Sequence, residues 1–201
     1  MKNEFPTDGN PFSTRHVRPG AIDYLFPPGS GADLLLRQLA DGDWTGQIVG
    51  PHGSGKSTLL ASLRAAMDAA GRQTHLVVLH DGARRIPPAD WPPAAPWDEN
   101  SVVLVDGYEQ LSRFNRASLR RACRGAESGL VVTCHESVGL PELFRTSNNV
   151  QIIARIVRQL LAGHSMQVDD LALQQMLAKH GQDVRELLFE LYDQFERQRS
   201  G

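Results

Sequence analysis

The sequence has no apolar run near the roughly 20 residues that a membrane-spanning helix requires, although 41% of its 201 residues are hydrophobic. We therefore expect a packed core and no membrane partner. The first 20 residues lack the apolar segment of a secretory signal peptide, so we expect a cytoplasmic location. The only two cysteines, Cys123 and Cys134, lack the spacing of a metal site, and this fits a reducing compartment.

The sequence also lacks an excess of charge of either sign, because its formal net charge is −2. This balance provides no general attraction to nucleic acid or to anionic membranes. Nucleic acid stays a possible partner that the net charge does not indicate. What the chain does have in abundance near its start is proline and glycine, and residues 1–29 are therefore predicted to form an extended tail or strap.

The segment from Gly50 to Thr58 matches the phosphate-binding pattern G-x-x-x-x-G-K-[ST]. Its glycines let the backbone curl so that successive N–H groups point at phosphate oxygens, and the following helix adds its positive end. Lys56 supplies charge for the β- and γ-phosphates, and the Ser57 hydroxyl is suited to bind Mg²⁺. We therefore predict ATP and Mg²⁺ as ligands, with ATP and GTP not distinguished. The predicted nucleotide-binding residues are Gly50, Pro51, His52, Gly53, Ser54, Gly55, Lys56, Ser57 and Thr58.

The surroundings of this segment are those that a phosphate-binding loop requires. A short strand-like stretch precedes it, and apolar residues at helical spacing follow it. Apolar runs at 76–79, 102–105 and 130–132 predict further buried strands, the first of them buried on both faces. Residues 150–153 could form a fifth strand or begin a helix.

The last fifty residues show only helical periodicity. We predict an α/β fold with a parallel-sheet P-loop NTPase core in three layers (α/β/α) and a small C-terminal helical lid. The predicted divisions are the strap at 1–29, the core at 30–153 and the lid at 154–201.

A helix of about 15 residues is predicted after Asp106, with Leu111, Phe114 and Leu119 as its apolar stripe. The same segment carries a run of arginines, which indicates either a solvated face or a contact with nucleic acid. These arginines are Arg113, Arg116, Arg120, Arg121 and Arg124.

Polar residues follow two of the predicted strands and are the candidates for chemistry. Asp106 ends an apolar strand at the edge where open α/β sheets bind ligands, so it is expected to hold Mg²⁺ or, alternatively, to cap the next helix. Glu109 could orient the attacking water if Gly107, which stands where many ATPases have an acidic residue, permits a tight turn. Thr133 and His135 end the fourth strand, where either could contact the γ-phosphate or the water, and His135 could equally be an ordinary loop residue.

These motifs resemble those of the AAA+ and STAND (NACHT-like) branch of P-loop ATPases. The stretch from Val105 to Glu109 resembles the Asp-Gly-x-Asp-Glu pattern of NACHT-type proteins, and the stretch from Gly181 to Glu186 resembles the Gly-Asn-x-Arg-Glu segment that opens the last AAA+ lid helix. The resemblance implies that Arg185 senses the γ-phosphate and that Arg145 serves a neighbouring subunit as an arginine finger. A protein partner, or self-association through the lid and the Arg145 face, would follow from it.

Three functions remain open at this point. The first is a slow Mg²⁺-dependent ATPase that acts as a nucleotide-controlled switch through its helical lid. The second is a small-molecule kinase, whose substrate arginines could be Arg84 and Arg85 or Arg121 and Arg124. The third is a binding module that responds to ATP without hydrolysing it.

Overall fold

The computed structural model describes residues 9–79, 82–91 and 96–200. The chain divides into two compact units. The first, here called the sheet unit, comprises Phe26–Pro51 and Lys56–Thr146, and the second, the helical unit, comprises Met1–Leu25, His52–Gly55 and Ser147–Gly201. The elements in chain order are α1 (Thr14–Val17), α2 (Ala32–Asp41), β1 (Thr45–Val49), α3 (Lys56–Ala69), β2 (Gln73–Val78), β3 (Ser101–Asp106), α4 (Arg113–Gly125), β4 (Gly129–Cys134), β5 (Glu142–Arg145), α5 (Val150–Leu160), α6 (Asp170–Lys179) and α7 (Val184–Arg199).

The sheet unit contains a five-stranded parallel sheet with the order β2-β3-β4-β1-β5. Strands β3 and β4 are buried over almost their whole length, as expected for central strands covered by helices on both faces. Because every strand is parallel, their carboxyl ends share one edge of the sheet, and the segments after β1, β3 and β4 meet there. The predicted parallel α/β P-loop core is confirmed.

The prediction that residues 76–79 form a strand buried on both faces was wrong. Among the described strands, β2 is an edge strand that pairs with β3 alone, and Leu76 and Val78 are 36% and 46% exposed. An apolar run shows that a strand packs against something, but it does not distinguish a central position from an edge.

The fifth strand also lies elsewhere than at residues 150–153. These residues begin α5, whose N-cap Asn149 accepts a hydrogen bond from the backbone N–H of Gln151. The strand is β5, four residues long, in a segment that the sequence indicated to be a loop. So short a strand is specified by its pairing with β1 rather than by its own pattern.

The helix after β3 differs from the prediction in its start and in its buried face. A 3-10 turn at Tyr108–Gln110 comes first, and α4 begins only after its N-cap Ser112. Leu111 and Leu119 are buried, but Phe114 is 87% exposed. Within α4, Phe114 and Leu119 are five residues apart, which places them about 140° apart around the helix axis.

The helical unit packs α5, α6 and α7 around a core that includes Phe12 and Ile22 from its N-terminal segment. The rings of Phe12 and Phe195 meet edge to face at 6.5 Å, and the Asn10 amide donates to the Tyr192 carbonyl. The N-caps of α6 and α7 are Asp169 and Asp183, whose side chains accept backbone hydrogen bonds there. Across the described ranges, no helix is both long and apolar enough to cross a membrane.

Candidate functional site

The phosphate-binding segment connects β1 to α3, as its pattern requires. Residues 50–55 form the loop, and α3 begins at Lys56. Gly53 and Gly55 have positive φ angles of 66° and 87°, the backbone conformation that turns successive N–H groups inward. Ser57 and Thr58 lie in the first turn of α3 and are half-buried.

Lys56 is a buried cation at the base of this loop, with 9% of the residue exposed. Its ammonium group donates to the carbonyl oxygens of Gly50 at 2.8 Å and Pro51 at 2.7 Å. It also lies 3.4 Å from Nδ1 of His135. A buried ammonium held by neutral acceptors has lost much of its hydration, and an anion arriving beside it offsets that desolvation cost.

His135 connects Lys56 to Glu109. Its Nε2 lies 2.8 Å from Oε1 of Glu109, while Nδ1 faces the Lys56 ammonium. A cation donating to Nδ1 requires a lone pair there, so this geometry assigns the ring proton to Nε2, which donates to the carboxylate. The other carboxylate oxygen of Glu109, Oε2, is buried and has no hydrogen-bond partner in the described part of the chain. A buried, unpartnered carboxylate oxygen is a candidate proton acceptor.

Gly107 produces the turn that carries Glu109 back to the sheet edge. It has φ 84° and ψ 37°, in the left-handed region, and begins the 3-10 turn at Tyr108–Gln110. A side-chain Cβ at this position would lie 2.9 Å from the Leu79 carbonyl oxygen. Only glycine fits both the angle and the space, so the tight turn on which the role of Glu109 depends is present.

Asp106 and Thr133 form a second polar pair at the ends of β3 and β4. The Thr133 hydroxyl donates to Oδ1 of Asp106 at 2.6 Å and accepts the backbone N–H of Gly107 at 2.9 Å. The hydroxyl therefore orients the Asp106 carboxylate. Ser57 and Asp106 are oxygen donors of the kind that Mg²⁺ prefers, so the residues fit the predicted metal.

Within the helical unit, the tip of the loop contacts the start of α7. A Cβ on Gly53 would lie 2.1 Å from Oδ1 of Asp183, the carboxylate that caps α7 by accepting from the Arg185 N–H. The Arg185 side chain is exposed. It forms no ion pair or hydrogen bond with another described residue.

The described side-chain contacts of Arg145 do not involve Lys56 or His135. It ends β5 and forms an exposed ion pair with Glu142, three residues earlier. Its backbone pairs in register with Val49, the last residue before the phosphate-binding loop.

Two residues that support the site, Tyr24 and Gln47, were not identified from the sequence. Tyr24 packs against Gly55, where a Cβ would lie 3.3 Å from its ring, and burial raises the pKa of Tyr24 to about 12. Gln47, buried in β1, donates to Ser137 and to the Leu140 carbonyl and so holds the loop that follows His135. The sequence signal for Gln47 was a glutamine inside an otherwise apolar strand. No local sequence pattern indicates the role of Tyr24.

The fold and the order of these motifs define a parallel α/β fold with a phosphate-binding loop between β1 and α3. No protein-family model matches the sequence, and no curated protein matches it. Among solved structures the chain is similar to a variant of RuvB from Thermotoga maritima, with TM-score 0.56 and 16% identity over 81% of this chain and 58% of that one.

Two further solved structures are similar. A second variant of the same RuvB has TM-score 0.55 and 16% identity over 80% of this chain and 58% of that one. A DNA replication initiation factor has TM-score 0.49 and 11% identity over 87% and 66% of the two chains. The chain thus spans less than two thirds of the RuvB chains, and the likeness at this identity shows the fold.

Proposed function

We propose that this chain binds ATP with Mg²⁺ at residues 50–58 and hydrolyses it slowly, as a nucleotide-controlled switch. The observation that carries the proposal is the connected series Lys56, His135 and Glu109, which joins a buried cation to an unpartnered carboxylate oxygen at one sheet edge, within the described residues. A cation for the phosphates and a base for water are the two groups that this reaction needs from the protein.

The groups proposed to bind ATP already contact one another in the structure described above. The Lys56 ammonium exchanges the carbonyl oxygens of Gly50 and Pro51 for β- and γ-phosphate oxygens. Ser57 and the carboxylate of Asp106 would hold Mg²⁺, which would neutralise charge on the phosphates. Thr133 orients Asp106 through its hydrogen bond, and its position at the end of β4 keeps it a candidate for contact with the γ-phosphate.

Hydrolysis is assigned to Glu109. Its Oε2 takes a proton from water, the water oxygen forms a bond to the γ-phosphorus, and the bond from that phosphorus to the bridging oxygen of ADP breaks. His135 holds the carboxylate through Oε1, so that Oε2 is the oxygen left to face water. Turnover is slow because residue 107 is a glycine, where many ATPases have an acidic residue, and because Glu109 must reach the water while its carboxylate is hydrogen-bonded to His135.

The helical unit contributes Arg185 as a sensor of the γ-phosphate. This role is supported by the contact between Asp183, which caps α7, and Gly53 at the loop tip, because the contact puts the start of α7 beside a residue of the phosphate-binding segment.

Arg145 is proposed to act in trans on a neighbouring copy after release from Glu142. The relation to the STAND branch rests on the stretch from Val105 to Glu109.

Binding is tested by calorimetry with ATP and Mg²⁺. Lys56→Ala removes the charged contact and should weaken binding by at least ~2 kcal/mol. Lys179→Ala is the matched control, since Lys179 is an exposed lysine paired with Glu190. Equal affinities in all three proteins would refute nucleotide binding at this loop.

Hydrolysis is tested by phosphate release without an acceptor and then with candidate acceptors. Glu109→Gln should keep ATP affinity and lower turnover about 100-fold, because it preserves shape and removes the base. Glu136→Gln, an exposed carboxylate close to His135 in sequence, should change neither. Release that requires an acceptor would identify a kinase, and binding with no release would identify a non-hydrolysing module.

A further inference from the structure

Helix α4 carries five arginines that fall into two structural groups. Arg116 and Arg120 lie on the inner side of the helix. Arg116 donates to the carbonyl oxygens of Leu111 and Glu109, Arg120 donates to the Tyr108 hydroxyl, and both guanidinium groups lie within 6 Å of the Tyr108 ring centre. These two side chains are part of the packing of the 3-10 turn.

The other three arginines, Arg113, Arg121 and Arg124, are exposed, and Phe114 lies among them. We call these four residues the outer face of α4. At 100° per residue they fall within an arc of about 100°, and Arg113 and Arg124 are about 16 Å apart along the helix axis. Helix α4 contains no acidic residue, and none of these guanidinium groups has an ion-pair partner among the described residues.

A second basic segment lies at the start of this helix. The Arg84 carbonyl accepts hydrogen bonds from the backbone N–H of Ser112 and the side-chain amide of Asn115. Arg84 and Arg85 are both exposed. Two further exposed arginines therefore lie in the segment that contacts the N-terminus of α4, although the net charge of the chain is −2.

We propose that the outer face of α4 binds single-stranded nucleic acid. The arginines suit backbone phosphates spaced along a strand, and the exposed Phe114 ring offers a platform on which an unpaired base can stack. A duplex keeps its bases paired and gives Phe114 nothing to contact. An anionic membrane requires a wider apolar face than one aromatic ring beside Ala117 and Ser118.

A ligand is assigned here because Phe114 and the three arginines share one exposed face and contribute little to the packing of the folded chain. A phenylalanine that is 87% exposed buries little apolar area in the folded chain, so it contributes little to stability there. Stacking on a base removes that ring from water whatever the identity of the base. The surface is independent of Lys56 and Glu109, so failure of this proposal leaves the proposed nucleotide function untouched.

The test measures fluorescence anisotropy of a labelled 20-nucleotide single strand with the full chain, from 50 to 200 mM salt. The triple variant Arg113→Ala, Arg121→Ala, Arg124→Ala should weaken binding at least ~30-fold at 50 mM salt and lower the salt slope by about 2. The control removes three exposed arginines elsewhere, at Arg37, Arg155 and Arg199, and has the same net charge. It should bind like the wild type.

Phe114 is tested separately, in a variant whose folding is not in question because the ring is exposed. Phe114→Ala should weaken single-strand binding about fivefold or more, and Phe114→Trp should restore it. Equal weakening by both triple variants, a duplex of the same length binding as tightly, or an unaffected Phe114→Ala would each overturn the proposal. Competition by poly-glutamate as strong as that of the oligonucleotide would overturn it in favour of an acidic protein partner.

Discussion

Replacing Gly107 with alanine tests whether one turn positions the catalytic base. Gly107 has φ 84°, and an added Cβ would lie 2.9 Å from the Leu79 carbonyl oxygen. The left-handed backbone costs an alanine about 1–2 kcal/mol. The steric contact adds about 1–3 kcal/mol, because the oxygen belongs to backbone and the Leu79 N–H is bonded to the Asp106 carbonyl at 2.9 Å.

Gly71 provides a matched control for this substitution. It has the same φ of 84°, and a Cβ there meets nothing within 4 Å. Gly71→Ala should therefore lower the free energy of unfolding by only the backbone contribution, about 1–2 kcal/mol. Urea unfolding of the two variants isolates the steric contribution of the Gly107 site, and Gly107→Ala should be less stable by about 1–3 kcal/mol.

The same substitution should affect turnover. Relief of the contact with Leu79 displaces the 3-10 turn, and a shift of ~1 Å at Glu109 costs about 100-fold in rate. ATP affinity should change little, because Lys56 takes its contacts from the loop at 50–51. If Gly107→Ala proves as stable and as active as Gly71→Ala, then the turn does not position the base.

Two further predictions concern Arg185 and the cysteines. Arg185→Ala should weaken ATP about tenfold more than ADP, and should remove any ATP-dependent protection of residues 165–197 from hydrogen exchange, because only ATP offers the γ-phosphate; an equal loss for both nucleotides would make Arg185 a surface residue. Burial raises the pKa of the Cys123 and Cys134 thiols from 9.0 to about 11, so neither should react with Ellman's reagent at pH 8 until the chain is unfolded. The folded pKa values of the two thiols lie above the unfolded ones, so the thiols of the unfolded chain ionise first as the pH rises. The free energy of unfolding should therefore be highest below pH 9 and fall between pH 9 and 11. A urea midpoint that does not fall across this window would contradict the assigned burial.

The chemistry of the phosphate-binding loop was readable because it is local. Residues 50–58 carry their own turn, cation and helix start, and the caps at Asp169 and Asp183 act on backbone within three residues. The apolar runs of β3 and β4 predicted buried parallel strands for the same reason, since a strand covered on both faces has few polar positions.

Contacts between distant segments were decided only by the tertiary structure. Strand order places β1 between β4 and β5, and this order brings His135 beside Lys56, 79 residues earlier. It also leaves β2 at an edge, where an apolar run looks the same in sequence as in a central strand.

The exposure of Phe114 depended on where α4 begins. A 3-10 turn instead of a continuous helix changes which residues face the sheet, and that turn fits beside the Leu79 carbonyl because residue 107 is a glycine. The sequence by itself therefore determined the ligand-binding loop and the class of fold, which short-range backbone geometry specifies. The tertiary structure decided which side chains meet at the sheet edge and which remain in solvent, because those outcomes depend on packing between residues far apart in the chain.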